Sequence, residues 1–357
     1  MSQKLVCESR IKYDSQIYDK GNTFLCRDDQ EAAELVREKK ASYYPVPTPE
    51  VLEKRYPEEN QNLNVIYPKE KPEQKTKTKV SIITAIKDNL YYLKMCIKAV
   101  YLNTRQPFEY IIIDNGSGPE VKNYLINEMS QHENMRLITN KENMGYAYAC
   151  NQGIKIAQYD YLCMLDADTY VSPEWLSRML ITFKKFKDCG ITAPSQATNY
   201  GAVYIPFKIL DIDNIQSEVS EFSKTLPEEY EEKHIFQIYG FCHLVKKEVY
   251  DEIGVYDWKR YYGLASNETD LFWRAGLRGF KLYWAKGSYV HHFHNKIKIN
   301  LGMDPQSMCD KGHKVFKDRQ DHPEKYFVKN DAAIKPNINL AYEYNQTYQN
   351  LKPYFNE

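Results

Sequence analysis

Asp166 and Asp168 stand one residue apart, directly behind the apolar run Tyr161-Leu162-Cys163-Met164-Leu165. A buried strand that ends in two carboxylates delivers hard oxygen ligands to the rim of a sheet, where a divalent cation and a diphosphate can sit. The chemistry this suggests is that of a nucleotide-linked sugar. Alone the pair is weak, because acids at strand ends commonly do no more than cap the next helix. Three more polar clusters also follow apolar runs: Asp88-Asn89, Asp114-Asn115-Gly116-Ser117 and Asn140 to Gly145. Each by itself reads as a turn, but four clusters of this kind on one sheet edge point to a binding site.

The elements that must position these residues alternate along the chain. Strands are expected at Val80 to Ala85, Tyr110 to Asp114, Arg136 to Thr139 and Tyr161 to Leu165, each a short apolar run. Helical spacing is read over Tyr91 to Asn103, Glu120 to Ser130, Tyr146 to Gln158 and Pro173 to Phe186. Such alternation predicts an α/β fold, a Rossmann-like, mostly parallel sheet flanked by helices, with its ligand crevice outside the carboxyl ends of the strands.

Two segments precede this region and two follow its opening half. Residues 1–45 read as a small β-rich module, with strands over Leu5 to Tyr13 and Gln16 to Leu25 and an amphipathic helix over Asp28 to Lys39. Residues 46–79, rich in Pro, Lys and Glu, read as an extended, solvated linker. The compact domain then divides into halves at 80–198 and 199–295. The second half carries an acidic insertion with Asp211, Asp213, Glu218, Glu221 and Glu228 to Glu232, expected to be a solvated loop or, alternatively, a lid. Residues 296–357 form a polar C-terminal extension that either docks on the domain or grips an acceptor.

Composition narrows the partners. The 357 residues are 43% hydrophobic, enough for a sizeable core. Lys+Arg and Asp+Glu both number 48, so the overall balance does not favour a polyanion or an anionic membrane as the main partner. The eight cysteines include no C-x-x-C pair and are expected to be reduced thiols. No run approaches the ~18 apolar residues of a membrane span, and the N-terminal residues lack a signal peptide's apolar core, so a cytoplasmic protein is expected.

The ordered motifs carry a family resemblance. Val80 to Ala85, Ile113-Asp114-Asn115-Gly116-Ser117, Asn143-Met144-Gly145 through Asn151-Gln152-Gly153, and Leu165-Asp166-Ala167-Asp168 resemble the donor half of inverting glycosyltransferases of family 2, with the GT-A fold. Tyr239 to Val249, Ile253 to Asp257, Asn267-Glu268-Thr269-Asp270-Leu271 and Val290-His291-His292 are similar to the acceptor half. The sequence departs from the family at Ala85, where proline is usual, and at Asn267, which stands where the pattern has an acid. A shorter likeness, on Tyr18-Asp19-Lys20-Gly21 and Glu31 to Val36, is to modules of bacteriophage structural proteins.

The resemblance implies roles. The nucleotide sugar would be held by Thr84, Ala85, Ile86, Asp88, Asp114, Asn143, Gly145, Asn151, Asp166 and Ala167. Mn²⁺ or Mg²⁺ would be held by Asp168, with Asp166 and His292; His291 and His294 compete with His292. Glu268 would be the base that deprotonates the acceptor hydroxyl, opposite the departing diphosphate. Asp270 is more readily a helix cap or a partner for Arg274, and Gly240, Trp258 and Trp273 are candidates for the acceptor surface, though either tryptophan equally suits a core. The implied activity is a metal-dependent, inverting transfer from a nucleoside diphosphate sugar, UDP-linked, to a hydroxyl on a glycan or polysaccharide, or on a hydroxymethylated DNA base if the source is a phage. A silent sugar-binding protein on the same fold and a nucleotidyltransferase are the alternatives; the latter's Gly-rich loop is missing from Ala85 to Asn89.

Overall fold

A computed structural model describes residues 78–197, 203–233, 240–294 and 304–322, together with the backbone of six short strands nearer the N-terminus. Those strands are β1 (Gln3–Cys7), β2 (Ile11–Tyr13), β3 (Gln16–Tyr18), β4 (Thr23–Cys26), β5 (Ala41–Tyr43) and β6 (Val65–Ile66). β1 lies between β4 and β5 in an antiparallel sheet, and β2 with β3 makes a hairpin. Each of the two strands expected here is thus broken in two. The helix expected over 28–39 lies outside the described residues.

From residue 80 the alternation is regular: β7 (Val80–Ile86), α1 (Leu90–Asn103), β8 (Phe108–Asp114), α2 (Pro119–Gln131), β9 (Met135–Thr139), α3 (Tyr146–Ile156) and β10 (Tyr161–Leu165). Strands β10, β7, β8 and β9 are parallel neighbours. Their side chains alternate between two cores, which is why the strands read as unbroken apolar runs. Ile82, Tyr110, Ile112 and Cys163 face one core with α1 and α2, while Ile83, Ile111, Ile113 and Met164 face the other with α3. Gly153 lets α3 lie on the sheet, since a Cβ there would stand 2.5 Å from Ile83 Cγ2. β6, within the segment expected to be a connector, pairs antiparallel with the outer strand β9. Its Val-Ile pair is the kind of short β-forming run that an open strand edge recruits.

The remaining elements are β11 (Thr169–Val171), α4 (Trp175–Lys185), β12 (Cys189–Ser195), α5 (Ile215–Lys224), β13 (Tyr230–Lys233), β14 (Cys242–Lys246), α6 (Lys247–Ile253), α7 (Asn267–Leu277), β15 (Lys281–His292) and α8 (Pro305–Asp321). They extend the sheet to the order β11-β15-β12-β14-β10-β7-β8-β9-β6. β14 runs antiparallel to β10, with Leu165 opposite Cys242, so the chain entering β14 meets the residues leaving β10. β15 does two jobs along its twelve residues. Its first half pairs with β12 and β13; after a register shift between Pro194 and Ser195, its end pairs with β11 and sets Thr169 opposite His292. The acidic stretch forms α5 and β13, where Glu229 and Glu231 meet Lys286 and Glu232 meets Lys281.

α8 packs on α7. Phe316 meets the Trp273 ring edge-on at 5.8 Å, and Gly312 sits against the Ala265 carbonyl with no room for a Cβ. The fully buried Arg319 guanidinium reaches Asp257 at 3.1 Å and Asp270 at 2.7 Å. Burial alone would raise the Asp257 carboxyl, but Arg319, and then Arg260, hold it below its ordinary value. That stabilisation is present above the unfolded carboxylate range and is lost as pH falls through the folded value. Replacing Arg319 with Ala removes the bridge between two buried carboxylates and should cost about 3–5 kcal/mol in urea unfolding at pH 7. Lys317→Ala breaks an exposed pair with Asp321 on the same helix and should cost under ~0.5 kcal/mol.

Candidate active site

The carboxyl ends of β10 and β15 meet because the backbone stitches them together. Asp166 N donates to Phe241 O at 2.8 Å, and Phe293 N donates to Asp168 O at 2.9 Å. The Thr169 hydroxyl closes the Asp166–Thr169 turn by donating to Asp166 O at 2.7 Å. With Thr169 opposite His292, the His292 ring is carried over the two acids: its Nε2 lies 3.4 Å from Asp168 Oδ1 and 3.9 Å from Asp166 Oδ2. Phe241 stacks on that ring, with centroids 5.0 Å and planes 11° apart.

Ligand atoms of Asp166, Asp168 and His292 all lie within 4.8 Å of one another, a span one divalent cation can bridge. Two carboxylate oxygens and one imidazole nitrogen are a donor set for a divalent cation. Strand alternation turns His291 to the other side, where its Nδ1 lies 3.0 Å from the Tyr289 hydroxyl and burial pushes its pKa down to about 4. His294, at a left-handed φ of 53°, borders the same cleft, its ring 5.7 Å from that of His292.

The cleft in front of these groups holds about 380 Å³. On its donor side Ala85, Ile86, Asn143, Gly145 and Ala167 form wall. A network of amides shapes that wall. Asn115 Nδ2 donates to Asn143 Oδ1 and Gly145 O, and Asn115 Oδ1 accepts from Met144 N and Asn140 Nδ2. Gly145 has φ +84° and faces Tyr262, whose ring would stand 2.9 Å from any Cβ, so only glycine fits.

Four expected donor residues do not line the cleft. Thr84 is buried and donates to Leu165 O at 2.9 Å. Asp88 is taken up by Gly118 N and Ser117 Oγ, tying two loops together. Asn151 grips the backbone of Tyr256 through both Tyr256 O and Tyr256 N, holding α3 to the acceptor half. Asp114 lies behind the wall, where Oδ1 accepts from Ser117 N at 2.8 Å and the buried Oδ2 has no partner.

On the opposite side Glu268 projects from the first turn of α7, half-buried, behind Ser266 at a left-handed φ of 71°. Gly240 lies under it, because a Cβ there would stand 2.5 Å from Glu268 Cγ. The Gly240 carbonyl accepts from His243 Nδ1 at 3.0 Å, and His243 Nε2, therefore unprotonated in the neutral ring, accepts from the Tyr256 hydroxyl at 2.7 Å. Burial pushes the His243 pKa down to about 4.

Trp258 borders the cleft, edge-on to Tyr148 at 4.9 Å. Trp273 does not: it is fully buried against α8. Asp270 is likewise buried, held by Arg274 at 2.8 Å and by Arg319, so it braces α7 rather than facing a substrate. Sequence reasoning missed Tyr146, whose hydroxyl donates to Asp166 Oδ1 at 2.7 Å, and the α8 residues Gln306, Met308 and Cys309 on the cleft wall. A tyrosine directly after the glycine of Asn143-Met144-Gly145 was the signal available for the first; the α8 residues carried none. None of the described residues 203–233 lines the cleft.

Comparison with known proteins agrees with this geometry. The family model described as Glycosyl transferase family 2 matches residues 81–254. The poly-beta-1,6-N-acetyl-D-glucosamine synthase of Staphylococcus aureus (strain COL) is 27% identical over 175 residues, 49% of this chain and 40% of that protein, so the chain spans well under two thirds of this relative. Among solved structures, GalNAc-T7 with UDP, GalNAc and Mn²⁺ aligns with a TM-score of 0.51 and 16% identity over 77% of this chain and 55% of that one. S. aureus TarS 1-349 aligns with a TM-score of 0.46 and 11% identity over 71% of this chain and 76% of that one. At 16% identity the likeness to GalNAc-T7 is one of fold, the GT-A sheet. Among the described residues no helix is long and apolar enough to cross a membrane.

The neutral His243 has a thermodynamic consequence. Its folded pKa lies below the ordinary 6.5, so it contributes stability above pH 6.5 that is lost as pH falls toward 4, on the order of 3 kcal/mol in full. Urea unfolding between pH 7 and pH 4.5 should show this loss, and His243→Gln, which does not titrate there, should flatten the slope.

Proposed function

From the match of residues 81–254 to the glycosyl transferase family 2 model, we propose that the chain is a metal-dependent, inverting glycosyltransferase that moves a sugar from a UDP-linked donor to a hydroxyl acceptor. The observation that carries this reading is the convergence of Asp166, Asp168 and His292 on one wall of a cleft that Glu268 enters from the other. A divalent cation bound there supplies a counter-charge for the diphosphate as it leaves. Asp166, Asp168 and His292 would hold it. The nucleotide lies along Ala85, Ile86 and Asn143, with Asp114 bracing the turn behind that wall through Ser117 N. Glu268 takes the proton of the acceptor hydroxyl as the new bond forms on the face of the sugar opposite the departing diphosphate. Gly240 and the His243–Tyr256 pair fix the floor on which that carboxylate rests.

Trp258, Tyr261 and Tyr262 border the acceptor side, and such rings favour a sugar acceptor that stacks. Among the described residues of the lining, Lys87 is the single lysine and there is no arginine; Lys87 is engaged by Asp88 and by Gly116 O. A glycan therefore fits this wall better than a hydroxymethylated base carried on a phosphate backbone, which calls for cations.

Two measurements test the reading. Thermal melting with UDP-, GDP-, dTDP- and CMP-sugars, each with and without Mn²⁺, should show a rise for a UDP-sugar that depends on the metal; no rise with any donor removes the donor reading and leaves a sugar-binding protein. Glu268→Gln should keep that melting shift and lower turnover, followed as donor hydrolysis and transfer, by about 100-fold or more. Wild-type turnover in that variant removes Glu268 as the base.

A further inference from the structure

We propose that Tyr146 is a positioning residue for Asp166, fixing which carboxylate oxygen that residue presents to a divalent cation and so tuning the affinity of the site. The inference rests on the metal-dependent reading of the same cleft. An aspartate at the end of a strand turns freely about its last torsion and can offer a cation one oxygen or two. Here the turn is restrained. The Tyr146 hydroxyl donates to Asp166 Oδ1 at 2.7 Å, which leaves Oδ2 as the oxygen facing His292, at 3.9 Å. A hydroxyl can hold its carboxylate only if its own ring is held, and Tyr146 is the first residue of α3, directly behind Gly145. Gly145 N donates to Asn143 Oδ1 at 3.0 Å, and the φ of +84° at Gly145 sets the direction in which α3 starts.

The amide network that shapes the donor wall is therefore continuous, through Tyr146, with the carboxylates at the end of β10. Asp166 accordingly contributes a single oxygen to a cation, and Asp168 and His292 carry the rest of the protein's share. Tyr146 is 37% exposed on the cleft wall, so water competes for the bond. The effect expected of losing it belongs at the low end of the ~10–100-fold range typical of groups that orient metal ligands.

The test is Mn²⁺ titration of the full chain by electron paramagnetic resonance, with UDP present, for the wild type, Tyr146→Phe, Asp166→Asn and the double variant. Tyr146→Phe keeps the ring and should melt near the wild type while binding Mn²⁺ about 10-fold more weakly. In the Asp166→Asn background the same change should have no further effect, because its carboxylate partner is already gone. Equal Mn²⁺ affinity in wild type and Tyr146→Phe, or an equal loss with and without Asp166, overturns the inference. A wild type that binds no Mn²⁺ overturns instead the metal-dependent reading on which it rests.

Discussion

Two carboxylates held side by side at the end of a buried strand repel each other, and the site is organised around that repulsion. Asp168 is buried and Asp166 half-buried, where the mutual field of like charges is screened less than in water. Among the described residues a phenol holds one oxygen of Asp166 and His292 stands beside both acids. A divalent cation between the two acids would relieve that repulsion.

That arrangement depends on β15. Its early residues are ordinary sheet, paired on both sides; its end leaves that register through a shift and pairs with three residues of β11. A strand that kept its first register would carry the histidine elsewhere. The aromatic packing of Phe241 on His292 then fixes the ring plane. The acceptor side has a comparable anchor in Arg319, which lies outside the residues matched by the family model yet joins Asp257 to Asp270 beneath the helix that bears Glu268. The cleft thus has one wall made by strand ends within the residues matched by the family model and an opposite wall completed by a helix beyond them.

Much of this was legible in the residue pattern, and the misses have physical causes. The strands at 80, 108, 135 and 161 and their helices follow from runs buried on two faces, which leave little choice of structure. β11 is three residues long, too short for a periodicity to register. Asn151, Asp88 and Thr84 stand where binding groups often do, but asparagine, aspartate and threonine serve backbone clamping equally well, and here that is what their partners are. Trp273 has the residue type of a stacking surface and the environment of a core. Only its neighbours distinguish the two.

What the sequence by itself determined is the set of local choices: apolar runs that must be buried, turns that need Gly145, and the placing of Asp166 and Asp168 at a strand end. What only the tertiary structure decided is which distant groups meet them. His291, His292 and His294 are equal as residue types, and register alone sets His292 over the acids while turning His291 toward Tyr289. Tyr146 meets Asp166, and Gly240 meets Glu268, through contacts between elements far apart in the chain. Local propensity acts over a few residues, whereas a binding site is assembled from groups whose nearness is a property of the packed sheet.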